Sequence, residues 1–183
     1  MRMREKQSKK IRQLVYSAVF LALALVLPFL TGSIPAVGKT LCPMHLPVLL
    51  CGFCCGPLWG LLVGAAAPIL RMLVFGAPLL PSALPMMFEL AAYGFLSGLL
   101  YRAFPKKVPY LYLSLFAAML GGRLAGILGK VLFYFVGDVK SSLTLAAFYA
   151  SYVTGAIGGI IVQILLVPLL VLAIRRAGFL LNE

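Results

Sequence analysis

Five ionisable side chains stand inside otherwise apolar stretches of this 183-residue chain: His45, Arg71, Glu89, Arg123 and Lys130. A charge in hydrocarbon is costly, so such groups face a cavity or a partner and are the first candidates for function. Seven residues separate Arg123 from Lys130, and at about 3.6 residues per turn the two cations return to nearly the same helix face. Gly122, Gly126 and Gly129 beside them leave room for a ligand or a neighbouring helix, and Tyr134 follows Lys130 by one turn. Four potential cations and one carboxylate make a set with surplus positive charge. It suits an anion such as a carboxylate, held by charge-assisted hydrogen bonds. Tyr149 and Tyr152 either stack on such a ligand or mark a membrane interface. Structural roles compete with these: Glu89 pairing with Arg71 or Arg123 to hold helices together, Lys130 reaching to the interface, and His45 sitting near a helix start. A single carboxylate neutralises only one of the two arginines.

Catalysis finds little support. The chain lacks Gly-x-Ser-x-Gly, His-Glu-x-x-His and a Walker motif, and has no acidic cluster to hold a metal, so no catalytic residue, metal set or cofactor is predicted. Any ATP-driven step must come from another subunit. Cys42, Cys51, Cys54 and Cys55 crowd one apolar stretch, and Cys51-x-x-Cys54 has metal or redox spacing. No second pair lies nearby, and packing between helices is the reading a small apolar side chain favours.

What must position these residues is a set of membrane helices. The chain is 63% hydrophobic, against about 45–50% in soluble domains, and its mean hydropathy is +1.07. Most of its sixteen Lys and Arg lie at the ends and in one connection, and Arg2, Arg4, Lys6, Lys9, Lys10 and Arg12 precede the first apolar run. That is a membrane anchor and not a nucleic-acid surface. The first run has no Ala-x-Ala-like cleavage site after it and is expected to be retained as a span.

A span needs about 20 apolar residues. Residues 12–31, 57–75, 85–104 and 109–135 qualify; 143–174 is long enough to tilt or to break near 151–155. The stretch 42–55 is short, but if it crosses, Arg102, Lys106, Lys107, Arg175 and Arg176 all join the basic N-terminus on one side, as the positive-inside rule requires. The prediction is an all-α integral membrane protein, a six-transmembrane-helix bundle with both termini cytoplasmic. It comprises a basic segment 1–11, a membrane domain 12–176 and a tail 177–183. Connections 32–41, 76–84 and 136–142 then face outward. Arg71 and Arg123, each about 21 Å along an outward-running helix, Lys130 beyond them, Glu89 four residues after Pro85 and His45 all fall in the outer half. Trp59, Tyr101, Tyr110 and Tyr112 form an inner aromatic belt. Small residues at four-residue spacing (Ala18/Ala22, Gly122/Gly126, Gly155/Gly159) permit close helix contacts, and Pro28, Pro47, Pro68 and Pro168 predict kinks.

This order of features, with the run Pro43-Met44-His45-Leu46-Pro47-Val48-Leu49-Leu50, then Phe88-Glu89-Leu90-Ala91 and Tyr93-Gly94, resembles the S-components of energy-coupling factor (ECF) vitamin transporters over essentially the whole chain. The resemblance implies a multi-pass subunit of a bacterial cytoplasmic membrane that captures a micronutrient outside. It would dock through Ala18 and Ala22 onto a transmembrane coupling subunit driven by two cytoplasmic ATPase subunits, and topple in the membrane to deliver its ligand. Residues 32–41 would be the gating loop. Among the family's substrates the anionic ones fit the cation set, pantothenate first, with folate, nicotinate or biotin as alternatives. Two other readings stand beside it: a stand-alone proton-coupled secondary transporter using Glu89, and an intramembrane enzyme acting on lipid.

Overall fold

The computed structural model describes residues 2–32, 43–136 and 157–182. They form six helices: α1 (Arg2–Gly32), α2 (His45–Cys55), α3 (Pro57–Phe75), α4 (Leu80–Ala103), α5 (Val108–Val136) and α6 (Ile157–Arg176). Among the described residues, five helices are long and apolar enough to cross a membrane, α2 being the shorter one. Their outward faces are those of a protein dissolved in lipid: Leu113, Phe116, Leu120, Leu124 and Leu128 line one face of α5 and are each more than half exposed.

Local chemistry sets the helix ends. Gly56 has φ 106°, a conformation that suits glycine, and it alone joins α2 to Pro57, the first residue of α3. Gly76, left-handed at φ 68°, closes α3. Only residues 76–79 connect it to α4, so the helix starts at Leu80 and carries Pro85 inside it. The expected connection 76–84 is therefore mostly helical, and Glu89 lies nine residues into α4, about 13 Å from its start instead of one turn. At the end of α6, Gly178 is again left-handed, with Phe179 N–H donating to Ile174 O and Gly178 N–H to Arg175 O, the Schellman pattern that turns the chain back.

Hydrogen bonds between elements fix the directions. Gln13 Nε2 donates to Cys55 O (2.8 Å) and Arg71 to Leu25 O (3.2 Å), so α1 and α3 run parallel with α2 reversed between them. Leu181 N–H donates to Cys54 O, which brings the C-terminal residues to the level of Gln13. Both described chain ends therefore lie at one end of the bundle. The 11-residue α2 covers only about 16 Å, short of the roughly 30 Å of hydrocarbon. It is the hub of the core, and Val48, Leu49, Phe53 and Cys54 pack among Leu90, Tyr93, Leu115, Val167 and Val171.

Helices α3 and α4 meet backbone to backbone. A Cβ on Gly60 would lie 2.3 Å from Gly94 O, and one on Gly64 2.2 Å from Leu90 O, so the two backbones touch. Cys51, Cys54 and Cys55 are buried packing residues, with Cys51 Sγ 3.6 Å from Ser17 Oγ. Tyr101, expected in an aromatic belt, is instead core: it is buried edge-on against Phe53, with the Lys106 ammonium over its ring. Tyr110 and Tyr112 are exposed, as a belt requires.

Candidate functional site

Glu89 is the centre of a cluster that draws on three helices. His45, the first residue of α2, places Nε2 3.7 Å from Glu89 Oε1. Tyr93, one turn further along α4, donates its hydroxyl to the same oxygen at 3.4 Å, and its ring meets the His45 imidazole edge-to-face at 5.2 Å. The His45 and Glu89 side chains are only 8% and 14% exposed, so the pair is withdrawn from solvent. His45 Nδ1 is buried with no hydrogen-bond partner among the described residues. Such a polar atom costs on the order of 1–3 kcal/mol unless a ligand group meets it.

The glycines of α5 make room for this arrangement. A Cβ on Gly126 would stand 2.9 Å from Glu89 Cβ and 3.0 Å from Oε2, and one on Gly122 would stand 2.7 Å from the Tyr93 ring. The space foreseen beside Arg123 and Lys130 is thus filled by α4 side chains. Because Gly126 opposes Glu89, Lys130 lies about 6 Å to one side of it along the axis and Arg123 about 4.5 Å to the other. The Lys130 ammonium interacts electrostatically with the Glu89 carboxylate. Arg123 is half-buried on the same helix face.

Arg71 stands elsewhere. Gly60 opposes Gly94 and Gly64 opposes Leu90, so Arg71 is level with Ala83, about 9 Å beyond Glu89 along the bundle. Its guanidinium donates to Leu25 O and lies over the Phe29 ring, 5.2 Å from the centroid. Pro28 has no N–H to donate to Ala24 O, and Leu25 O in the same turn accepts from Arg71. Tyr149 and Tyr152 lie outside the described residues, as does the stretch 33–42. Tyr93, noted only for the family resemblance, was absent from the expected site residues, although it stands four residues after Glu89 on one helix face.

Ala18 and Ala22 are exposed on α1. Ala18 borders a groove of about 210 Å³ with Leu14, Leu21, Trp59 and Leu62. Among the described residues no group of three or more His, Cys, Asp or Glu is placed to hold a metal ion.

Comparison with curated proteins and with solved structures gives no match. Residues 12–171 match the family model of the ECF transporter substrate-specific component. That stretch takes in all the described side chains of the Glu89 cluster, the α1 alanines, the whole of α2 to α5 and most of α1 and α6. The chain belongs to the family of ECF transporter substrate-specific components, multi-pass membrane subunits that bind the transported small molecule.

Proposed function

We propose that this chain is the substrate-binding subunit of an ATP-driven importer and that His45, Glu89, Tyr93, Arg123 and Lys130 hold its ligand, a small anionic micronutrient. The observation that carries the reading is the buried Glu89 carboxylate in contact with His45 Nε2, packed against the α5 face that carries Arg123 and Lys130, with His45 Nδ1 left without a hydrogen-bond partner among the described residues, at the bundle end away from both termini. With six spans and cytoplasmic termini, that end faces outside, and the basic residues of α1, Arg102, Lys107 and Arg175 gather inside. Lys130 and Arg123 supply the charge for a carboxylate. Glu89 accepts from a hydroxyl or amide N–H of the same molecule. Pantothenate carries groups of both kinds and is the first candidate. Arg71 ties α1 to α3 above the site.

Ala18 and Ala22, exposed and one turn apart, form the docking face for a transmembrane coupling subunit. Two cytoplasmic ATPase subunits supply the energy. Native mass spectrometry of the purified chain, with identification of the co-purified small molecule, tests the site. An anion supports it, and a neutral or cationic ligand overturns the cation assignment.

A second reading, a stand-alone proton-coupled transporter with Glu89 as the proton site, is favoured by one observation, the buried contact between the two titratable groups His45 and Glu89. Uptake that collapses with a protonophore at constant ATP supports it. Uptake that persists excludes it.

A further inference from the structure

A grooved strip made of two neighbouring hollows runs up α1 on the side that faces the C-terminal residues. Its lower part, about 380 Å³, is lined by Ser8, Lys9, Arg12, Leu180 and Leu181. Its upper part, about 310 Å³, is lined by Tyr16, Val19, Phe20, Cys54, Ile174 and Phe179. At 100° per residue the six α1 positions fall within about 120° of arc, one stripe that is basic below and apolar above. Lys9 to Phe20 spans about 16 Å, close to the depth of one leaflet, half of the roughly 30 Å hydrocarbon core.

The opposite wall is held in place. After the turn at Gly178 the chain reverses, Phe179 meets Tyr16 edge-to-face at 6.2 Å, and Leu181 N–H donates to Cys54 O. Asn182, fully buried, donates to Gly98 O at 3.0 Å and Gly52 O at 3.4 Å. The groove is therefore a built feature of the fold and not a gap beside a loose tail.

We propose that this groove binds one anionic glycerophospholipid, its phosphate at Lys9 and Arg12 and an acyl chain along Tyr16, Val19, Phe20 and Phe179. Charge complementarity names the occupant: residues 2–12 carry six basic side chains against the single acid Glu5. The apolar upper part suits a hydrocarbon chain. The stripe is turned about 120° around α1 from Ala18 and Ala22, so lipid and coupling subunit would use different faces.

The test uses the full-length purified chain and mixed micelles of phosphatidylglycerol and phosphatidylcholine, with bound lipid counted by native mass spectrometry. The wild type is expected to retain one phosphatidylglycerol with about tenfold or greater preference over phosphatidylcholine. Lys9→Glu with Arg12→Glu is expected to abolish the preference. Val19→Trp, at a position already exposed, is expected to displace the lipid by filling the groove. Lys107→Glu with Arg176→Glu, which removes equal charge at the same bundle end, is expected to leave retention unchanged. Equal retention of the two lipids by the wild type overturns the proposal without recourse to any variant. Equal losses in the two charge-reversal pairs, or full retention in Val19→Trp, overturn it too. So does a groove variant that releases the coupling subunit while keeping its lipid, since the occupant would then be protein.

Discussion

Glu89 Oε1 lies 3.7 Å from His45 Nε2 although the two belong to different helices, and Tyr93 completes the contact with its hydroxyl 3.4 Å from the same oxygen. A carboxylate held this way answers to its charge more than to its shape. Glu89→Gln preserves the shape and is expected to weaken ligand binding by about tenfold or more, the scale of a charge-assisted hydrogen bond lost in a buried site. Equilibrium binding of radiolabelled pantothenate to purified protein measures it, and unchanged affinity would remove Glu89 from the site.

The three cations should separate into two classes. Lys130→Ala and Arg123→Ala are expected to lower affinity about tenfold each, because they flank Glu89 on the shared face of α5. Arg71→Ala is expected to leave affinity within about twofold and instead to lower the thermal unfolding temperature, since its partners are Leu25 O and the Phe29 ring of α1. An affinity loss for Arg71→Ala equal to the other two would place Arg71 in the binding site.

Helix contact at the glycines should be intolerant of even one methyl group. In Gly60→Ala the new Cβ would stand 2.3 Å from Gly94 O, and in Gly94→Ala 2.1 Å from Gly60 O. Both neighbours are backbone and cannot rotate away, so α3 and α4 must part, at a cost of roughly 1–3 kcal/mol. Thermal unfolding in detergent checks this, and Gly76→Ala serves as a comparison in which only backbone strain at φ 68° is introduced.

Gly126→Ala tests the site from its other side. The added Cβ meets Glu89 Cβ at 2.9 Å, so the side chain must shift. Ligand affinity is expected to fall more than stability does. A fall in stability with affinity intact would make Gly126 a packing residue alone.

Ala18→Trp combined with Ala22→Trp is expected to abolish assembly with the coupling subunit while ligand binding by the isolated chain persists, because both residues are exposed and away from Glu89. Co-purification measures the first and equilibrium binding the second. Assembly that survives both tryptophans would move the docking face elsewhere.

Much of this arrangement was legible before any coordinates. The span at 57–75 followed from hydropathy alone, and the shared face of Arg123 and Lys130 from a seven-residue spacing. Pro85 was misleading because proline favours the first turn of a helix, and Pro81, four residues earlier, is the proline that occupies that turn. The α3–α4 seam went unread, although Gly60-x-x-x-Gly64 and Gly94-x-x-x-Gly98 obey the same small-residue rule that singled out Ala18 and Ala22. Arg71 was not readable, since its partner is set by which helix happens to be its neighbour. Tertiary packing decides that, and no local pattern encodes it.

The eleven-residue α2 gives the molecule an unequal mechanics. Its last carbonyls are taken by Gln13 from one chain terminus and by Leu181 and Asn182 from the other, while a single residue, Gly56, leads onward into α3. The opening and closing segments of the polypeptide are thus latched to the same short strut. A pull on α1 reaches α2, α3 and the C-terminal residues together, so these segments are tied to move as one block.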